Sequence, residues 1–170
     1  MKVAAIIMLF LLAMLLQTTV FSVLPVWGAY PDLLTILVVN LGMLNGRTEG
    51  AWLGFLAGLI RDLLVGRYIG LNALATCLVG FLAGAAVQRL YRDNFFVPCF
   101  FTMVGTWVGR SLVLLGMALF GAAVQWNLQM LFSIVLSGLY SAVITLFIYR
   151  RFARLNELII YWDELVRRSG

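Results

Sequence analysis

Six apolar runs separated by short polar or turn-rich stretches make up most of the chain, near residues 3–24, 31–45, 48–65, 69–88, 95–120 and 128–149. A bilayer crossing takes about 20 helical residues, so each run is read as a transmembrane helix. The second and third are short and call for a tilted packing or a locally thin bilayer. The prolines fall at the ends of the runs. Pro25 closes the first, Pro31 opens the second, where its missing N–H is harmless, and Pro98 lies in the first turn of the fifth. Residues 45–50, Asn-Gly-Arg-Thr-Glu-Gly, form a turn-rich sextet that predicts a helical hairpin. The first run follows Lys2, yet at about 22 residues it is too long for the h-region of a signal peptide. No small-residue cleavage site follows it, so it reads as a retained anchor.

Beyond residue 149 the pattern changes. Phe152, Leu155, Leu158, Ile159, Trp162, Leu165 and Val166 recur at three- and four-residue steps, with charged residues between them, predicting an amphipathic helix on the cytoplasmic surface. Such a helix either anchors the chain on anionic lipid or docks a cytoplasmic partner. The expected organisation is a six-helix transmembrane domain over 1–150 and a tail helix over 151–170. Composition agrees. Hydrophobic residues are 64% and charged residues 11%, against roughly 45–50% and about 25% in soluble domains. The net charge of +5 does not indicate nucleic acid, because the basic residues sit at the edges of apolar segments. With the N-terminus in the cytoplasm, Lys2, Arg47, Arg89, Arg92, Arg150, Arg151, Arg154, Arg167 and Arg168 lie inside and Arg67 alone outside. Six crossings with both termini cytoplasmic follow.

The chain contains no His and seven carboxylates, none spaced as a metal or phosphate site. Cys77 and Cys99 lie in apolar stretches and read as small hydrophobes. No catalytic, cofactor-binding or metal-ligating residues are expected. Small residues instead form seams of the kind that let membrane helices approach: Gly50, Gly54 and Gly58, stepping on to Asp62, and Asn72, Thr76, Gly80, Gly84 and Gln88. Thr102 and Thr106 lead to Arg110 on the fifth run, and Ser133, Ser137, Ser141 and Thr145 line the sixth. A charge within hydrocarbon costs about 2.5–3.5 kcal/mol on insertion scales, so Arg110, too deep to snorkel, needs a partner. Asp62, Asn72 and Asp32 all count to the outer half, and Asp62 is the favoured partner. Asp32, just after Pro31, suits a helix N-terminus. Arg61 points away from Asp62 and is expected to reach the headgroups. The cluster of Asp62, Arg110, Asn72 and Asp32 is either a buried polar lock or the floor of an outward-facing pocket or partner groove.

Pro31-Asp32-Leu33-Leu34, then residues 54–64 (GFLAGLIRDLL), then Gly70-Leu71-Asn72-Ala73-Leu74 and Gly80-Phe81-Leu82-Ala83-Gly84, resemble the MreD family of bacterial rod-shape-determining proteins. The motifs are specific over 31–84; the other helices agree in length and hydropathy. The family carries an apolar residue where this chain has Arg61. The resemblance implies a non-enzymatic scaffold or regulatory subunit of the rod (elongation) complex in the bacterial inner membrane. Its implied partners are MreC, met through its transmembrane helix or membrane-proximal region, then RodA, a penicillin-binding transpeptidase and MreB, with membrane lipid around them. The family is also similar in its six-helix fold to the S components of energy-coupling-factor vitamin transporters.

Two other classes compete. A membrane enzyme would need a nucleophile with its base, or paired carboxylates, within the crossings, and these are missing. A solute-binding S component of a vitamin transporter would use the outer-half cluster as its pocket, but the first helix lacks the paired-alanine motif such subunits present to their transporter.

Overall fold

The computed structural model describes residues 2–23, 29–65, 68–87, 96–121 and 127–168, with side chains over 6–19, 29–64, 68–86, 96–121 and 127–148. Pro25, Gln88, Arg67, Arg89, Arg92 and the apolar face expected on the tail lie outside what is described. The described residues form six helices and are almost wholly helical: α1 (Lys2–Val23), α2 (Leu33–Asn45), α3 (Arg47–Val65), α4 (Leu71–Val87), α5 (Phe96–Leu119) and α6 (Leu128–Arg168).

α2 is the shortest and the most central. Every residue from Leu33 to Met43 is buried, and α2 touches all five other helices. One apolar cluster joins its residues to Phe10 and Met14 of α1 and to Leu53 and Ala57 of α3; a second joins Val39 and Met43 to Val79 and Ala83 of α4. α2 and α3 turn back on each other through Gly46 alone, so most of the expected polar sextet is already helix. Gly46 makes the tight reversal with φ 95°, a left-handed conformation that disfavours side chains, while its N–H satisfies the carbonyl of Gly42.

α3 and α4 pack most closely. A Cβ on Gly54 would strike the carbonyl of Thr76, one on Gly80 the carbonyl of Gly50, and one on Gly84 the backbone of Arg47. Thr76 Oγ1 lies 2.6 Å from the Gly54 carbonyl across this contact. Gly50 also meets Gly42, so three helices touch backbone to backbone.

Polarity is distributed inside out. Asp32, Asn40, Asp62, Thr102, Thr106, Ser137, Ser141 and Thr145 are buried, whereas Leu15, Trp52, Leu63, Leu74, Phe96, Phe120, Leu128 and Phe147 are exposed. Thr102, Thr106 and Thr145 each donate to the carbonyl four residues back, on Pro98, Thr102 and Ser141, so these hydroxyls need no partner on another helix. Residues 96–119 and 128–148 are long and apolar enough to cross a membrane. The sixth apolar run and the tail are one continuous helix of 41 residues.

Candidate functional site

Asp32 caps α2. Its Oδ1 accepts from the Thr35 N–H at 3.2 Å, and its own N–H donates to Ser141 Oγ of α6 at 3.0 Å. The carboxylate is 3% exposed and needs a counter-charge, which Arg61 supplies at 2.8 Å. Arg61 therefore turns inward, not to the headgroups. Asp32 and Arg61 lie within one residue of the same distance from Gly46, so folding that hairpin brings them to nearly the same level.

Asp62, 2% exposed, serves the start of α4. Gly70, the residue before that helix, has no side chain to cap it and takes φ 103°. Asp62 reaches across from α3 instead. Its Oδ2 accepts from the N–H groups of Gly70 (2.8 Å) and Ala73 (3.0 Å), its Oδ1 from Asn72 N–H (3.3 Å) and Asn72 Nδ2 (2.7 Å). The free amides at a helix N-terminus favour an anion there. This corrects the expected pairing of Asp62 with Arg110. The short connection between α3 and α4 delivers four donors to Asp62, and Arg110 bonds elsewhere.

Arg110 Nη2 donates to the Tyr30 carbonyl at 3.2 Å, which also accepts from Ser137 Oγ at 2.6 Å. Together with the Ser141 bond to Asp32, α5 and α6 thus satisfy the non-helical backbone of residues 30–32 inside the bundle. Of the hydroxyls lining the sixth run, Ser137 and Ser141 hold this segment. The signal was available, since Arg110 and Ser137 are equidistant from the turn joining α5 and α6.

The layer lies deep. At 1.5 Å per residue Arg110 is about 14 Å from the end of α5, and Ser137 about 14 Å from the start of α6. α3 ends only a few residues past Asp62, so α5 and α6 rise above the ends of α2, α3 and α4. A cavity of about 190 Å³ occupies the step, with Asp32, Arg61, Asn72 and Arg110 among its lining residues and Val113, Met117, Met130 and Ile134 on the α5 and α6 side. Asp32, Asn72 and Arg110 thus meet around one space, joined by Arg61. Asp62 does not line it. Among the described residues no group of three or more His, Cys, Asp or Glu could hold a metal ion.

Helices able to cross a membrane, an apolar exterior and a buried polar layer define a helical membrane protein. The chain matches the family model for rod shape-determining protein MreD over residues 1–157, and it belongs to that family. No curated protein and no solved structure matches it. Membership places the protein in rod-shape determination and associates it with the shape-determining complex.

Proposed function

We propose that this protein is a non-enzymatic scaffold and regulatory subunit of the rod complex in the bacterial inner membrane, crossing six times with both termini in the cytoplasm. It binds MreC and through it acts with RodA, the penicillin-binding transpeptidase and MreB to control peptidoglycan synthesis and cell shape. The family match over residues 1–157 carries this reading. The apolar exterior supports the six crossings, and the basic residues favour this orientation. α2 alone, 13 residues and about 20 Å, is too short for a hydrocarbon core of about 30 Å. Residues 29–32, held at Tyr30 by Arg110 and Ser137 and at Asp32 by Ser141, complete that crossing as non-helical chain. In this orientation the step above α2, α3 and α4 opens towards the periplasm, the side on which MreC carries its large domain. The continuous α6 carries its amphipathic end to the cytoplasmic surface, where lipid or MreB meets it.

Complementation tests the role. In a rod-shaped bacterium depleted of its own MreD, expression of this protein restores rod shape, and expression of Arg61→Leu leaves cells round. Rescue by neither protein, with both present in the membrane, or equal rescue by both, would contradict the reading.

A further inference from the structure

The recess above α2, α3 and α4 holds a positive charge that the fold itself does not consume. Asp32 spends both carboxylate oxygens, one on Arg61 and one on the Thr35 amide. Asp62 is engaged by the start of α4 and does not line the recess. Arg110 donates to one backbone carbonyl, and among the described residues no carboxylate lies within ion-pair distance of it. A guanidinium carries five N–H donors in a fork suited to carboxylate and phosphate. Two arginines against one carboxylate leave the lining with one net positive charge.

Above Arg110 the lining is apolar. Val113, Leu114 and Met117 of α5 face Met130 and Ile134 of α6 across the same space. Unbranched methionines adapt to an irregular hydrocarbon guest. A cationic floor under an apolar wall matches a molecule with an anionic head and a hydrocarbon body.

We propose that this recess binds one phosphate group carried by an amphiphile, with the phosphate on Arg110 and Asn72 and the chain along α5 and α6. The site stands on this chain's own residues and goes beyond the partner reading above, so either can fail alone. The full-length protein in neutral detergent is titrated with short-chain phosphatidylglycerol, with the uncharged diacylglycerol of the same chains and with inorganic phosphate. Thermal-unfolding midpoint and bound adducts in native mass spectrometry are recorded. The phosphatidylglycerol binds and raises the midpoint, whereas the diacylglycerol does not. Arg110→Gln weakens binding at least tenfold, and Arg110→Lys, which keeps the charge, weakens it less. Because Arg110→Gln also removes a contact to Tyr30, Met117→Trp provides a second arm: it fills the recess, keeps that contact and blocks binding. Equal binding of the diacylglycerol, or unchanged binding in both Arg110→Gln and Met117→Trp, overturns the proposal. Binding of inorganic phosphate as tight as that of the phosphatidylglycerol overturns the amphiphile and assigns the site to free phosphate.

Discussion

Asp62 and Arg110 illustrate how a buried charge in this protein is satisfied by whatever the chain brings nearest. Asp62 finds four donors at the start of α4; Arg110 finds the Tyr30 carbonyl. The two residues are therefore independent. Asp62→Ala strips several first-turn amides of α4 of their acceptor, at about 1.5–3 kcal/mol for a hydrogen bond to a charged group. Adding Arg110→Leu does not recover the loss, and the two effects add within about 0.5 kcal/mol. Asp32 and Arg61 behave in the opposite way. Breaking a buried pair costs about 3–5 kcal/mol because the remaining charge is stranded, so Arg61→Leu is severe and Asp32→Asn in the same chain recovers part of it. Thermal unfolding of these four variants and of Arg110→Leu alone, each against the unsubstituted protein in detergent, checks both statements. Asn40 makes a simpler case: it is fully buried, its Nδ2 bonds to the Ile36 carbonyl at 2.6 Å, and its Oδ1 has no partner among the described residues. Asn40→Leu removes that orphan acceptor and raises the unfolding midpoint. The sequence shows which charges are buried, because they sit inside apolar runs. It conceals their partners when depth alone is counted, since Asp32, Asp62 and Asn72 all lie in the same half; symmetry about the turns is the information that separates them.

The helices follow from the apolar runs to within a residue or two, with two instructive differences. The second helix begins at Leu33, not Pro31, because Asp32 makes the cap and Pro31 belongs to the buried segment before it. The sixth continues to Arg168 because residues 139–168 contain neither Gly nor Pro to stop it; a change from apolar to amphipathic pattern alters the surroundings of a helix without ending it. The contact of α3 with α4 is the most demanding of the bundle. A methyl group at Gly54 or Gly80 meets backbone, which cannot move aside cheaply, so Gly54→Ala and Gly80→Ala each cost about 1–3 kcal/mol. Gly105→Ala, whose neighbours are the valine side chains of Val79 and Val39, costs less. Ranking the three by detergent-unfolding midpoint checks the order. At the other end of the chain, removing residues 152–170 leaves the bundle inserted and folded, with size-exclusion profile and membrane fraction as the readout. Loss of insertion would make the end of α6 part of the core.

At the scale of the whole molecule, class and family were legible: apolar runs with basic edges specify a helical membrane protein, and the order of motifs over 31–84 specifies MreD, whose family model spans residues 1–157. The recess was legible in part: Asp32, Asn72 and Arg110 of the expected outer-half cluster line it, whereas the place of Arg61 and the apolar side arise from the mismatch between the short α2 and the long α5 and α6, a relation between elements and not a motif in any one of them. The account predicts a protein whose function is to hold other proteins together. The most direct test is a detergent pull-down of the tagged protein from its native membrane, with captured partners identified by mass spectrometry. Recovery of MreC together with RodA and its transpeptidase is the predicted result. Recovery of an energy-coupling transmembrane subunit with its ATPases, and no MreC, would contradict the scaffold reading.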